Sequence, residues 1–323
     1  MRSVFTLLLF CLSLSAFAQK EEPKNVYFLT NKGRYLEVLD SADYIRVVKM
    51  PDSGSVLYNV TEFYKSGKPK LIGKSTKIDP PWYEGQTVAF YENGRRKNTL
   101  SYKQGRLSGD AFEYYPNGRL YWALTYPDPE KKDTTFKNGY KITTSSDSLG
   151  NGGVADGNGY YKGYDDKFKY VNEEGWIKAG LRDSIWKGKS LEQKLTFEEL
   201  YKNGKLVKGI VVDSTGTMSD YKDSRMTFPR FTKGESGFGQ FLVRTMRYPE
   251  TERRNNIQGV VVLGFVVERD GRLTDIKVNK SAGKGLDEEA VRVMKISPLW
   301  TPGTMYGKPI RVNYTVPISF RLQ

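Results

Sequence analysis

The sequence predicts a mostly β chain in two parts: a sheet of repeated β-hairpins, followed by a small α+β domain at the C-terminal end. Three observations predict it. A short aromatic, Asn/Ser-Gly, basic pattern recurs between residues 60 and 205. Residues 310–322 alternate apolar and polar without a break. Between these lies a stretch with helical periodicity, flanked by turn signals.

The repeat comes first along the chain. Glu62-Phe63-Tyr64-Lys65-Ser66-Gly67-Lys68 matches Ala89-Phe90-Tyr91-Glu92-Asn93-Gly94-Arg95. Glu113-Tyr114-Tyr115-Pro116-Asn117-Gly118-Arg119 and Glu199-Leu200-Tyr201-Lys202-Asn203-Gly204-Lys205 follow the same plan. Tyr64, Tyr91 and Tyr115 are spaced by 27 and 24 residues. Asn-Gly and Ser-Gly supply the positive φ of a tight hairpin turn. The flanking aromatics alternate with polar residues, as in half-buried strands. Each repeat is therefore expected to be one hairpin stacked on its neighbours. Gly159-Tyr160-Tyr161 and residues 180–188 fit a looser copy, and residues 24–50 are expected to add strands before the first. Residues 127–158, rich in Lys, Asp, Thr, Ser and Gly, read as a polar connection with one weak hairpin near residues 139–144. Residues 213–239 read as the way into the C-terminal domain, with 225–239 as its linker.

In the C-terminal part, Ile310, Val312, Tyr314, Val316, Ile318, Phe320 and Leu322 occupy every second position, the pattern of a strand with one wet face. Pro317 places that strand at a sheet edge, because proline cannot donate to a central ladder. Residues 260–267 are apolar throughout and read as an inner strand covered on both faces. Asp270-Gly271 turns it into a second strand. Leu286, Ala290, Val293 and Met294 fall at i, i+4, i+7 and i+8, one stripe of a helix. Asp287, Glu288 and Glu289 begin that helix, Arg292 and Lys295 end it, and Ser297-Pro298 stops it. Phe241, Leu242, Thr245 and Met246 predict another helix, ended by Pro249.

Tyr248-Pro249, Gln258-Gly259, Asp270-Gly271, Trp300-Thr301-Pro302-Gly303 and Gly307-Lys308-Pro309, taken in order, resemble the TonB C-terminal domain family. The resemblance covers about residues 240–322. It implies a non-enzymatic periplasmic module that takes an extended peptide of an outer-membrane receptor as an added strand beside residues 310–322. Arg247, Tyr248, Pro249, Arg311, Asn313 and Thr315 are the partner-binding residues that follow. Classical members carry Gln before the Tyr-Pro pair, where this chain has Arg247. They also keep a membrane anchor and a Pro-rich spacer, whereas the 14 prolines here are scattered. The hairpin pattern resembles the MORN repeat in its divergent form.

The stretch from Val4 to Phe17 is mostly apolar and ends in Ala16-Phe17-Ala18-Gln19, which reads as a signal peptide, residues 1–18, cleaved after Ala18. The stretch is shorter than the ~20 residues a spanning helix needs. Phe10 before Cys11 argues against a lipoprotein cysteine, so the product is expected in the periplasm or cell envelope, with no stable membrane span. Removing this segment leaves no Cys, and the chain has no His. That excludes thiolate nucleophiles, imidazole bases, disulfides and Cys/His zinc sites. A carboxylate pair is the remaining catalytic option. No Asp-Thr-Gly or Asp-Ser-Gly motif stands out, and Glu173-Glu174 and Glu198-Glu199 read as solvated surface. No enzyme, cofactor or metal is expected. Residues 225–323 carry 17 Lys+Arg against 9 Asp+Glu, a basic balance that attracts acidic partners; export sets nucleic acid aside. Two functions follow: a transport accessory that grips a TonB-dependent receptor, or an envelope scaffold whose repeats do the binding.

Overall fold

A hairpin turn needs a residue at positive φ, and glycine takes that conformation without a Cβ penalty. The computed structural model describes residues 24–322 apart from Lys132, Thr134, Lys137 and Asn138. It places such a glycine at the turns of three successive repeats: Gly67, Gly94 and Gly118 have φ of +79°, +84° and +89°. Each glycine N–H donates to the carbonyl of the tyrosine three residues earlier, at 2.9, 2.8 and 2.7 Å. The N–H groups of Tyr64, Tyr91 and Tyr115 donate to the carbonyls of Lys68, Arg95 and Arg119. The strand register shifts next to every one of these turns, the bulge that accompanies a three-residue loop. The signal segment expected over residues 1–18 lies outside the described residues.

The chain forms two compact units, divided between Asp133 and Thr134. In the first, eight strands form an antiparallel meander: Lys24–Leu29, Tyr44–Lys49, Tyr58–Tyr64, Pro69–Ser75, Tyr83–Phe90, Arg96–Lys103, Gly109–Tyr114 and Leu120–Tyr126. Each pairs with the next one named. Its buried residues are mostly small. Val48, Val60, Ser75, Thr87 and Ala111 are all within 1 % of full burial. At Gly73 an added Cβ would come within 2.7 Å of the Thr87 methyl. Glu62 is also buried, paired with Arg46 at 2.9 Å and Lys70 at 3.3 Å. A buried carboxylate is tolerated only when paired in this way.

The second unit begins with a similar meander through Lys141–Ser146, Gly152–Ala155, Asn158–Tyr164, Val171–Lys178, Leu181–Ser190, Leu195–Lys202, Lys205–Asp213 and Met218–Tyr221. The first two strands fall inside 127–158, expected as a polar connection. The Asp147 carboxylate organises the turn between them, accepting the N–H groups of Leu149 and Asn151 at 2.9 and 2.8 Å. The fourth repeat turns more tightly than the others. Asn203 and Gly204 both have positive φ, between the paired Lys202 and Lys205, as a two-residue hairpin requires. On the buried face, glycines sit directly opposite aromatics: Gly175 faces Trp186, Gly188 faces Phe197 and Gly209 faces Tyr221. A Cβ on these glycines would lie 2.4, 2.2 and 2.3 Å from the facing ring. The aromatics thus lie flat over bare backbone, and one layer of strands covers its own face.

Residues 225–239, expected as a linker, carry regular structure. Met226–Thr227 pairs with Gly303–Met305, and Arg230–Phe231 pairs with Trp300–Thr301. Helix α1, Gly234–Thr245, starts within the same stretch. Its glycines weaken helix propensity, and tertiary packing outweighs them. Phe238 and Phe241 meet Phe231, and Phe231 and Phe238 meet Trp300, with ring centroids 5.4 to 5.9 Å apart. The short helix α2, Glu250–Arg254, follows. A three-stranded antiparallel sheet then runs in the order Leu273–Lys280, Gly259–Val267, Val312–Phe320. Helix α3, Lys284–Lys295, lies on one face, with Leu286, Ala290 and Met294 packed against Val261, Leu263, Phe265, Val267, Ile318 and Phe320. The other face of the central strand is only partly covered: Val266 is buried, Val262 is intermediate and Val260 is exposed. Among the described residues no helix is long and apolar enough to cross a membrane.

Candidate functional site

The strand Val312–Phe320 pairs along its whole length with Gly259–Val267, from Val312 opposite Val267 to Phe320 opposite Gly259. Its other side has no strand partner among the described residues. Nine residues at ~3.3 Å each leave roughly 30 Å of backbone N–H and C=O groups along that edge. Val316, Ile318 and Phe320 point into the core, while Asn313, Thr315, Pro317 and Ser319 are exposed. The ladder stops short of the full alternation because Arg311 interrupts it.

The sequence-derived binding residues separate into two groups. Arg311, Asn313 and Thr315 lie at the start of the edge strand. The Arg311 guanidinium is paired with Glu268 at 3.0 Å and Asp275 at 2.8 Å. The Thr274 hydroxyl first, and Arg311 after it, hold the Glu268 carboxyl below its ordinary range. Tyr248 lies at the far end of the strand, its ring 5.9 Å from Phe320 and its hydroxyl donating to the Ile257 carbonyl at 2.6 Å. Pro249 precedes α2 as its N-cap, and the Arg247 N–H donates to Glu289 at 2.6 Å. Burial raises the Glu289 carboxyl, and Arg292 together with the Arg247 N–H outweighs it and holds the group below its ordinary range. Tyr248 and the Arg247 backbone thus hold the domain together, while Asn313 and Thr315 face solvent.

A second constellation was hidden in the sequence. Glu173 and Glu199, expected on the solvated surface, lie in an ionic cluster where the C-terminal domain meets the last hairpins. Glu199 is 1 % exposed. It accepts from Arg225 at 2.6 and 2.5 Å, from Tyr221 at 2.7 Å and from Tyr201 at 3.2 Å. Glu173 pairs with Arg182 and, at 3.3 Å, with Arg225. Burial pushes the Glu173 carboxyl up, but Arg182 and then Arg225 outweigh it and hold the group below its ordinary range. Burial, and next the hydrogen bond to Glu199, push the Tyr221 phenol well up. The same junction carries Lys308 paired with Asp213 at 2.6 Å and Tyr306 packed on Tyr221 and Phe197 at 5.4 and 6.3 Å. The Tyr306 N–H donates to the Arg225 carbonyl at 2.6 Å. Glu198 is the exposed member of its pair and meets Lys187 at 3.3 Å.

An antiparallel three-stranded sheet with a helix across one face and an unpaired outer strand defines a small α+β domain with an open sheet edge. No grouping of three or more acidic or imidazole and thiol side chains able to hold a metal occurs among the described residues. Residues 244–322 match the family described as Gram-negative bacterial TonB protein C-terminal. Protein TonB of Haemophilus ducreyi is 35 % identical over 77 residues, which are 24 % of this chain and 26 % of that protein. The chain therefore spans about a quarter of the length of the curated relative it matches. The hairpin repeats and nearly all of α1 precede the matched residues.

Proposed function

We propose that this protein is a periplasmic accessory to outer-membrane transport. Its C-terminal domain binds an extended peptide of a TonB-dependent receptor by strand addition along Val312–Phe320. The observation that carries this reading is the unpaired nine-residue edge, on a domain that matches the TonB C-terminal family. Strand addition draws affinity from main-chain hydrogen bonds and selectivity from alternate side chains. Asn313 and Thr315 are the exposed side chains next to the incoming strand, with Arg311 at its entry. The MORN-type hairpins carry the domain, and the cluster around Glu199 fixes it to them. The test is a titration of a TonB-box-like peptide into the protein lacking residues 1–18, followed by amide shifts. Saturable shifts along residues 312–320 support the proposal, provided a peptide N-methylated at alternate amides does not bind. Shifts confined to the hairpin repeats overturn it.

The second reading, an envelope scaffold whose hairpins do the binding, has an observation of its own. Trp176 is 54 % exposed beside Tyr160, and Ile185 and Met218 are also exposed on the same hairpin array. Deleting residues 225–323 separates the two readings, since only strand addition loses receptor binding.

A further inference from the structure

Helix α1 forms one wall of a groove of about 490 Å³ that lies apart from the edge strand. Phe231, Phe241, Pro298 and Leu299 line its apolar part. Leu299 is 56 % exposed, an uncovered leucine beside a concave surface. Lys233 and Arg244 stand at the groove. Neither makes an ion pair or side-chain hydrogen bond among the described residues, whereas Arg253, Arg272, Arg292 and Arg311 all pair with carboxylates. Glu235, in the first turn of α1, does not line the groove.

The groove is already formed. The Thr232 hydroxyl donates to the Leu299 carbonyl at 2.5 Å, and Phe231 is held by its backbone pairing with Trp300. Preformed walls reduce the ordering cost of binding. Lys233 and Arg244 are eleven positions apart on one helix, about 16 Å at 1.5 Å per residue. Carboxylates on one side of an extended chain, four positions apart, are separated by about 13 Å, and the long Lys and Arg side chains span the remaining few ångströms. We infer that this groove docks a short extended segment of a partner protein, with acidic residues about four positions apart and a bulky apolar side chain between them. The carboxylates meet Lys233 and Arg244, and the apolar residue enters the space between Phe241 and Leu299. A single phosphate or lipid headgroup reaches only one of the two cations. This surface is separate from the strand-addition edge of the proposed function, and almost all of α1 lies before the residues that match the TonB family.

The probe is a fluorescein-labelled pentapeptide, Asp-Thr-Phe-Thr-Asp, titrated into the protein lacking residues 1–18 and read by anisotropy. Saturable binding in the micromolar-to-millimolar range is expected. Binding should weaken about tenfold or more for Lys-Thr-Phe-Thr-Lys and for Asp-Thr-Ser-Thr-Asp. The same loss is expected in Leu299→Ser and in the double variant Lys233→Gln/Arg244→Gln, all at exposed or groove positions and each checked for an unchanged melt. Equal binding of the lysine peptide, unchanged binding by the variants, or no saturation overturns the inference. So does stronger binding of phosphatidylglycerol vesicles than of the peptide with the same dependence on Lys233 and Arg244, which assigns the groove to a membrane surface. Binding of the unmethylated receptor peptide at the edge strand is unaffected by these variants, so failure of either proposal is read separately.

Discussion

Tyr64 donates its hydroxyl to the carbonyl of Phe90 at 2.6 Å, and one repeat later Tyr91 donates to the carbonyl of Tyr114 at the same distance. The turn side chains follow the same step: Lys68 reaches the Glu92 carbonyl at 3.0 Å and Asn93 the Pro116 carbonyl at 3.1 Å. The tyrosine of the pattern therefore belongs to two hairpins at once. It closes its own turn through its backbone and reads the next hairpin through its hydroxyl. A spacing of 24 to 27 residues is what lets one tyrosine reach the next aromatic strand.

Replacing Tyr64 or Tyr91 by Phe removes one such link and leaves the ring in place. Each change should cost about 0.5–1.5 kcal/mol, the net worth of one hydrogen bond. Denaturant titrations of the single and double variants check this, and because the Tyr64 hydroxyl ends on the residue next to Tyr91, the double variant should depart from the sum of the two losses.

Gly94→Val and Gly118→Val force a β-branched residue into positive φ. Nothing lies within 4 Å of a Cβ at Gly94, so its cost is conformational and on the order of 1–3 kcal/mol. Thermal melts measure it. A melt identical to the parent would mean that the turn relaxes without cost.

Gly175→Ala, Gly188→Ala and Gly209→Ala test a different mechanism, since each new methyl is driven into a facing ring. Overpacking of about 1–3 kcal/mol is expected at each site. Gly188 should be the most sensitive, because its Cβ would also meet the Asn172 carbonyl at 2.6 Å, and backbone yields less than a ring. Tryptophan fluorescence should report Gly175→Ala specifically, through Trp186.

Arg225→Met leaves the Glu199 carboxylate buried without its cation. A loss of about 3–5 kcal/mol is expected, and Arg225→Met/Glu199→Gln should recover much of it. Acid should act through Glu173. Its carboxyl is held below the ordinary value of 4.5, so its contribution is complete above that pH and disappears as the pH falls through the lowered folded value. The parent melting temperature should therefore fall on the acid side of pH 4.5, and Glu173→Gln should flatten that part of the profile.

The edge strand was legible because one face is buried and the other wet, so its period of two survives in the residue types from Val312 to Phe320. Helix α3 was legible for the same reason at a different period. Glu199 was concealed by its neighbour: two adjacent glutamates look like solvated surface. On a strand, however, adjacent residues face opposite ways. Phe197, Glu199 and Tyr201 share one face, and that alternation was the available signal. Arg225 offered none, because its partners lie 26 and 52 positions back along the chain. The start of α1 was obscured by Gly234, Gly237 and Gly239, which read as a linker until Phe238 and Phe241 find Phe231. The two-group arrangement of the binding residues could not be read either, since it depends on the tertiary contact that seats Tyr248 against Phe320, at the end of the strand away from Arg311.

The pairing of Arg230–Phe231 with Trp300–Thr301 sets an order of assembly. In the hairpin meanders each strand waits only for the next, and such local contacts form early and fast. The terminal domain must instead close a loop of about seventy residues before Trp300 can reach Phe231, and the central strand Gly259–Val267 gains its second neighbour only when the final strand is in place. A chain shortened by its last twenty residues would keep its hairpins and lose the partner of its most apolar strand. That would leave residues 260–267 with an uncovered edge of the kind that drives aggregation.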